Sequence, residues 1–273
     1  MLINWPKSNY KAHDYLLAGE SLIEAKNWTL AEEAFDRVVD IASKTNNLTT
    51  LIARGTIGKI EVKSAKGDYA GALVEIDSFL ENKRFASMQI GTNVCIMASQ
   101  IAKKYGDPEG YKTANKALEQ LARYWKSAPV WQNDYVKLMS ADMNLAQADE
   151  NERKGDKKSA YSMRGKVASS LYGLIDARKP RENRNANAES ATPAKPAATS
   201  GEKTLEEFLP KELEVLEKAY GILIPTLMKL ENKQLEDVKT YGEQYLKYFP
   251  EGPNAVIIRR IMDDAAKESA LKK

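Results

Sequence analysis

The chain has 273 residues, of which 43% are hydrophobic and 29% are charged, and its mean hydropathy of −0.52 fits a globular protein with a charge-rich surface. Its formal charge of +3 comes from 41 basic residues nearly balanced by 38 acidic ones, so no strong field draws it to nucleic acid or anionic lipid. The single cysteine, Cys95, excludes an internal disulfide framework and a cysteine-rich zinc site.

The N-terminal segment MLINWPKSNY lacks the charged region and apolar stretch of a secretory signal. We therefore expect a cytoplasmic protein if Met1 is the native start, and a periplasmic or envelope-associated one if a signal sequence was removed. No apolar run approaches the roughly 20 residues that cross a bilayer, so no transmembrane segment is expected.

Residues 9–179 carry helix signals almost throughout, with apolar residues at spacings of three and four and strong helix formers between them. Alternation typical of strands is absent. Short breaks separate the helical stretches, and their spacing predicts a succession of helix hairpins. These breaks are Lys26-Asn27, Lys66-Gly67-Asp68, Gly106-Asp107-Pro108 and Lys154-Gly155-Asp156.

A repeated pattern of small and large residues accompanies these breaks. In the first hairpin it consists of Tyr15, Ala18, Gly19 and Leu22, followed by Ala31 and Phe35. It recurs in Ala98, Ile101, Ala102 and Tyr105 with Ala114 and Leu118, and partly in Ala72 and Ile76 after Gly67-Asp68. This pattern resembles the tetratricopeptide repeat, and residues 245–255 resemble the turn between repeats in bacterial cell-envelope members of that family.

The resemblance implies an all-α fold, a right-handed solenoid of antiparallel helix pairs, with about four pairs in residues 1–178. Trp28, Tyr69 and Tyr111 are assigned equivalent places at the starts of the second helices, which gives spacings of 41 and 42 residues against the family norm of 34. Extra residues must therefore lie between units. In the weakest unit, Asn144, Gln147 and Arg164 stand where the family has apolar residues.

Residues 179–203 consist of Ala, Pro, Ser, Asn and charged residues without a large apolar side chain, which predicts a flexible linker. Helix signals resume in residues 204–273, a predicted partial repeat. The capping box at 204–207 opens a helix to about Glu231 with a kink at Pro225, a second helix spans 234–249, and a last one starts at Ala255.

Signals for chemistry are nearly absent, so we expect no enzyme, no cofactor and no metal site. His13 is the only histidine, and no nucleophile motif or phosphate-binding loop accompanies it. Cys95 lies among apolar residues, as a buried structural cysteine does. The acidic residues at 149–152 and 263–264 lack the spacing of a calcium loop and are interpreted as solvated helix faces.

The remaining hypothesis is a protein-interaction scaffold or adaptor. First helices line the concave side of a solenoid, where a peptide or partner helix binds. By the family resemblance, the residues expected there are His13, Leu16, Glu20, Arg54, Glu61, Gln100, Lys103, Asp142 and Asp149. Nucleic acid is not an expected partner.

The final helix carries an apolar band, which we expect to dock on the array, on a second copy of the chain or on a partner: Val256, Ile257, Ile258, Ile261 and Met262. A homo-oligomer through this helix is one possibility. The alternative function is therefore a permanent structural subunit of a large complex, envelope-associated or not, tethered by its C-terminal helices.

Overall fold

Helix is the only regular secondary structure among the residues that the computed structural model describes, which are 11–44, 48–86, 89–180 and 208–271. The prediction of an all-helical fold is confirmed. The packing divides the chain into two compact units, Met1–Ser127 and Ala128–Lys273, each described separately below.

The helices of the first unit form antiparallel pairs, and each pair consists of a first helix and the second helix that follows it in the chain. Its helices are α1 (Ala12–Glu24), α2 (Trp28–Ser43), α3 (Thr49–Ala65), α4 (Tyr69–Glu81), the short α5 (Lys83–Ala86), α6 (Gln89–Tyr105) and α7 (Pro108–Tyr124). Each of the first helices α1, α3 and α6 packs against the second helix that follows it, and neighbouring first helices also touch. This pairwise stacking is the arrangement of a helical repeat.

The second unit continues the same alternation. Its helices are α8 (Val130–Arg153), α9 (Lys157–Arg178), α10 (Pro210–Met228), α11 (Leu235–Tyr248) and α12 (Ala255–Leu271). α10 packs on both α8 and α9, and α12 packs on α10 and α11. The predicted capping box at 204–207 lies outside the described residues; α10 itself begins at Pro210, with the Glu212 carboxylate accepting from the Leu209 N–H.

The four predicted breaks are confirmed as turns built to one plan. The residue before the helix cap has a positive φ in every turn: Lys26 (56°), Gly67 (81°), Gly106 (68°) and Gly155 (91°). The next residue is an Asn or Asp whose side chain accepts a hydrogen bond from the first turn of the second helix: Asn27, Asp68, Asp107 and Asp156. Satisfying that free N–H is the reason these residue types start helices.

One of these turns contains a conformational mismatch that a substitution should relieve. Lys26 occupies the left-handed region, which costs a residue with a Cβ about 1–2 kcal/mol. We expect Lys26→Gly to raise the free energy of unfolding by about 0.5–1 kcal/mol, since the flexibility of glycine in the unfolded chain offsets part of the gain. Urea denaturation measures this change. The reciprocal variant Gly67→Ala, at φ 81° with open space around it, should lower the same quantity.

The small residues of the first hairpin surround one aromatic ring. Phe35 of α2 is buried, and a Cβ at Gly19 of α1 would lie 2.7 Å from its ring. Gly58 of α3 approaches the same ring from another helix, closer still. α2 is thus clamped between α1 and α3 at a distance that only glycine allows.

The assignment of Tyr111 to the start of a second helix was wrong. α7 begins at Pro108, so Tyr111 is its fourth residue and is buried in the helix interface. The second helices therefore begin at Trp28, Tyr69 and Pro108, which are 41 and 39 residues apart. The Gly-Asp turn before Pro108 fixes this register.

Hydrogen-bonded tyrosines hold α11 in the core of the second unit. The Tyr172 hydroxyl of α9 donates to Asp237 of α11 at 2.5 Å. The Tyr245 hydroxyl, on α11, donates to Glu217 of α10 at 2.9 Å. Tyr245 is fully buried, and this bond satisfies its polar atom inside an apolar cluster.

Candidate protein-binding face

The exposed sides of α1, α3 and α6 form the surface that we call the first-helix face of the first unit. On α3, Arg54, Ile57 and Glu61 recur at helical spacing along the side that the neighbouring helices leave uncovered. On α1, Leu17 and Glu20 lie one turn apart on its uncovered side. The face therefore combines apolar and charged side chains, which suits a polypeptide ligand.

An ion pair joins α1 to α3 on this face. Arg54 Nη2 lies 2.5 Å from Glu20 Oε1, and both side chains remain about 40% exposed. At such exposure an ion pair contributes little to stability. Its consequence is positional, because it fixes the Glu20 carboxylate beside the surface of α3.

Glu61 is the unusual group of the face. Its side chain is exposed, and within the described residues its carboxylate has no hydrogen bond or ion pair. The surrounding protein desolvates it and the nearby Glu20 carboxylate repels it, so the pKa of Glu61 is raised above its usual range. A cation placed beside the carboxylate would offset both effects by its charge.

Five of the residues predicted for the binding surface belong to α1 and α3, and the structure brings three of them together. Glu20, Arg54 and Glu61 are brought together, whereas Leu16 is fully buried in the core and cannot contact a partner. The exposed leucine is Leu17, at 50% exposure. Leu16 belongs to the buried side because it follows Tyr15 and precedes Gly19 by one turn, and both of those residues pack inward.

The other predicted residues of the first unit are spread over the same helices. His13 lies exposed on α1, and Gln100 and Lys103 lie exposed on α6. Neither His13 nor Gln100 forms a side-chain hydrogen bond with the Glu20–Arg54–Glu61 group within the described residues. Cys95 of α6 is buried, and burial raises the pKa of its thiol to about 12, so the thiol stays protonated at neutral pH.

The two predicted residues of the second unit lie on α8. Asp142 is exposed. Asp149 binds a buried arginine: Arg164 Nη2 of α9 lies 2.6 Å from Asp149 Oδ1 and 2.6 Å from Glu152 Oε2. Lys229, just after α10, lies 3.3 Å from Asp149. Asp149 therefore contacts α9 and the residue that follows α10.

The predicted apolar band of α12 divides into two sides. Ile258 is fully buried, and Ile261 and Met262 are half-buried, with Met262 seated against Gly242 of α11. Val256 and Ile257 remain 76% and 55% exposed. The helix thus docks on its own unit through three of the five residues and presents the other two to solvent.

Two searches of the described residues concern other kinds of site. No group of three or more His, Cys, Asp or Glu side chains in those residues is placed to hold a metal ion. None of the helices in the same residues is both long enough and apolar enough to span a bilayer.

The fold defines an all-helical repeat protein. No protein-family model matches the sequence, and no curated protein sequence matches it either. Among solved structures, the apo form of RapI is similar over 98% of this chain and 88% of that chain, at 14% sequence identity and a TM-score of 0.40. A likeness this low carries no inference about function.

Proposed function

We propose that the chain is a tetratricopeptide-like protein-interaction scaffold without catalytic activity, and that it holds a peptide or helix of a partner on the first-helix face. The alternation of paired helices, the Gly/Asp turns and the buried Ala31, Phe35, Ala72 and Ile76 favour this repeat type. The unit of 39 to 41 residues is longer than the family norm of 34.

The observation that carries the proposal is Glu61. An exposed carboxylate that is partly desolvated, repelled by Glu20 and unpaired within the described residues costs free energy in the unbound protein. A Lys, an Arg or an amino terminus of a partner removes that cost by forming a charge-assisted hydrogen bond. Leu17, one turn before Glu20, supplies apolar contact area beside it.

Reversing the charge of Glu61 tests this proposal. Glu61→Lys should reduce recovery of the partner in affinity capture from the native source by about tenfold or more, because a cation then faces the cation of the partner. The side chain is exposed, so circular dichroism should show an unchanged fold.

The matched control is Glu33→Lys, which makes the same charge change at an exposed position of α2. It should leave recovery unchanged. Equal recovery with wild type, Glu61→Lys and Glu33→Lys would reject the first-helix face as the binding surface.

A second candidate function is a permanent subunit of a complex, tethered through α12. The exposed Val256 and Ile257 favour it, since a helix that only ends a repeat array is expected to be polar on its outer side. The double variant Val256→Lys/Ile257→Lys separates the two functions: loss of a stoichiometric partner on this change, with Glu61→Lys silent, would support the tethered subunit.

A further inference from the structure

The first unit contains a groove between α4 and the start of α7. This α4–α7 groove has a volume of about 410 Å³. Its lining includes an apolar part, called the floor below, which consists of Leu73, Val74, Gly110 and Tyr105. The acidic side chains of the lining, called the rim below, are Asp77, Glu81, Asp107 and Glu109.

The floor exposes apolar surface that the fold does not use. Val74 is 70% exposed and Tyr105 is 40% exposed. Among the described residues of the first unit, only two other large hydrophobic side chains, Leu17 and Tyr124, are as open to solvent. Apolar side chains gathered in a concavity, rather than scattered singly, are the usual mark of a binding site.

A glycine keeps this floor open. A Cβ at Gly110 would lie 3.0 Å from Leu73 Cδ1 and 3.1 Å from Tyr105 Cδ1. Those distances are tighter than ordinary van der Waals contact, so α7 begins pressed against both side chains. Any larger residue at this position would occupy the floor of the groove.

The rim gives the groove a negative charge. Asp77 is neutralised by Lys116 at 2.6 Å, and Glu109 lies 3.4 Å from Lys112. Asp107 uses its carboxylate to cap α7, accepting from the Glu109 N–H at 2.9 Å.

That cap leaves the negative charge of Asp107 in place. Glu81 forms no ion pair within the described residues, although its charge also acts on Lys116, the partner of Asp77. Two lysines therefore face four carboxylates, and the excess attracts cations and repels anions.

We propose that the α4–α7 groove binds a segment of a partner protein in which an aromatic or branched apolar side chain is flanked by Lys or Arg. The apolar side chain packs on Leu73, Val74 and Tyr105, and the flanking cations lie against Glu81 and Asp107. The groove contains none of the residues Leu17, Glu20, Arg54, Ile57 and Glu61 on which the first-helix face is argued, so this proposal stands or fails independently of the one made above.

The test uses a defined probe, the blocked tripeptide Arg-Phe-Arg, added to the full chain with isotope-labelled methyl groups. Methyl NMR should show saturable shifts of the Leu73 and Val74 signals that weaken as salt is added. The blocked tripeptide Glu-Phe-Glu removes the cations and Arg-Ala-Arg removes the aromatic side chain. Each should bind at least about tenfold more weakly than Arg-Phe-Arg. Equal binding of either one, or no shift with Arg-Phe-Arg at millimolar concentration, would overturn the proposal.

Two variants identify the site, and a third is the control. Glu81→Lys should weaken Arg-Phe-Arg about tenfold and Val74→Lys should abolish its binding, whereas Glu33→Lys on α2 should leave it unchanged. Ultracentrifugation tests whether a second copy of the chain occupies the groove instead. Self-association that Val74→Lys abolishes would assign the groove to that second copy and overturn the proposal.

Discussion

Gly58→Ala should lower the free energy of unfolding by about 2 kcal/mol, although alanine is the better helix former by about 1 kcal/mol. The added methyl group would overlap the buried ring of Phe35. Gly19 of α1 also packs closely against this ring, which limits its room to move. Overpacking of this kind typically costs about 1–3 kcal/mol. Urea denaturation followed by circular dichroism measures the loss, and amide hydrogen exchange should place it in α1–α3.

Two further variants isolate the cause. Gly173→Ala, on the exposed side of α9 where a Cβ meets nothing within 4 Å, should instead stabilise the protein by about 0.5–1 kcal/mol. Phe35→Leu combined with Gly58→Ala should cost less than the sum of the single changes, since the smaller side chain admits the methyl group. Strict additivity would show that Phe35 is not the obstacle.

Asp149→Asn should lower the free energy of unfolding by about 1–2 kcal/mol, because it removes a charged partner from the buried Arg164. The Arg164 side chain is 1% exposed, and its Nε already lacks a hydrogen-bond partner within the described residues. Breaking a fully buried pair costs about 3–5 kcal/mol, and the half-exposed Asp149 reduces that figure. Adding Glu152→Gln should deepen the loss measured by urea denaturation.

Arg164→Met supplies the rescue and Arg153→Met the control. Methionine in place of Arg164 should bring stability back to within about 1 kcal/mol of wild type even with Asp149→Asn, since no buried charge is then left unpaired. Arg153 makes the same pairing with Glu150 at an exposed position, so its replacement should change little. An Arg164→Met variant that fails to rescue Asp149→Asn would refute this explanation.

The same cluster predicts how stability depends on pH. Burial acts to raise the pKa of Asp149, but the hydrogen bond from Arg164 and the charge of Lys229 outweigh it, so the pKa is lowered. The hydrogen bond and charge of Arg164 also lower the pKa of Glu152. The stabilisation is therefore complete above about pH 5 and is lost progressively as the pH falls further. Arg164→Met should show a shallower loss over that range than wild type.

Local signals in the sequence were sufficient to predict the helix hairpins. The turns at Gly67 and Gly155 were predicted as breaks between helical stretches, and the structure gives their physical basis: glycine supplies the left-handed residue and the following aspartate caps the next helix. The register of α7 was not predicted correctly, because the match of Tyr111 to Trp28 and Tyr69 rested on aromatic character. The Gly106-Asp107 turn is the better marker, because it places the start of α7 at Pro108, three residues before Tyr111.

The candidate face was partly predictable. The family resemblance selected Glu20, Arg54 and Glu61 as residues of one surface. The ion pair between Glu20 and Arg54 and the raised pKa of Glu61 depend on distances between helices, which the sequence does not give. The assignment of Leu16 to this face was wrong. His13, Leu16 and Glu20 also recur at helical spacing, but the exposed leucine is Leu17, one residue later. The position of the neighbouring helix decides which of two such sets of residues is buried.

The α4–α7 groove was not predicted at all, because it depends on how two helices distant in sequence approach each other. Arg164 gave a different kind of signal: a charged residue at a position where the family has an apolar one. The structure explains that departure, since Asp149 and Glu152 neutralise the buried guanidinium group. A buried charge is accompanied by its partners on the adjacent helix, and that rule would have linked Arg164 to Asp149.

Site-specific photo-crosslinking tests the central claim, that the first-helix face binds a protein partner, most directly. A benzoylphenylalanine in place of Leu17, one turn from Glu20, is compared in the native source with the same group in place of Glu33 on α2. The predicted result is a discrete protein adduct from position 17 that Glu61→Lys removes, and none from position 33. Adducts from position 33 alone, or a position 17 adduct that Glu61→Lys leaves unchanged, would contradict the claim.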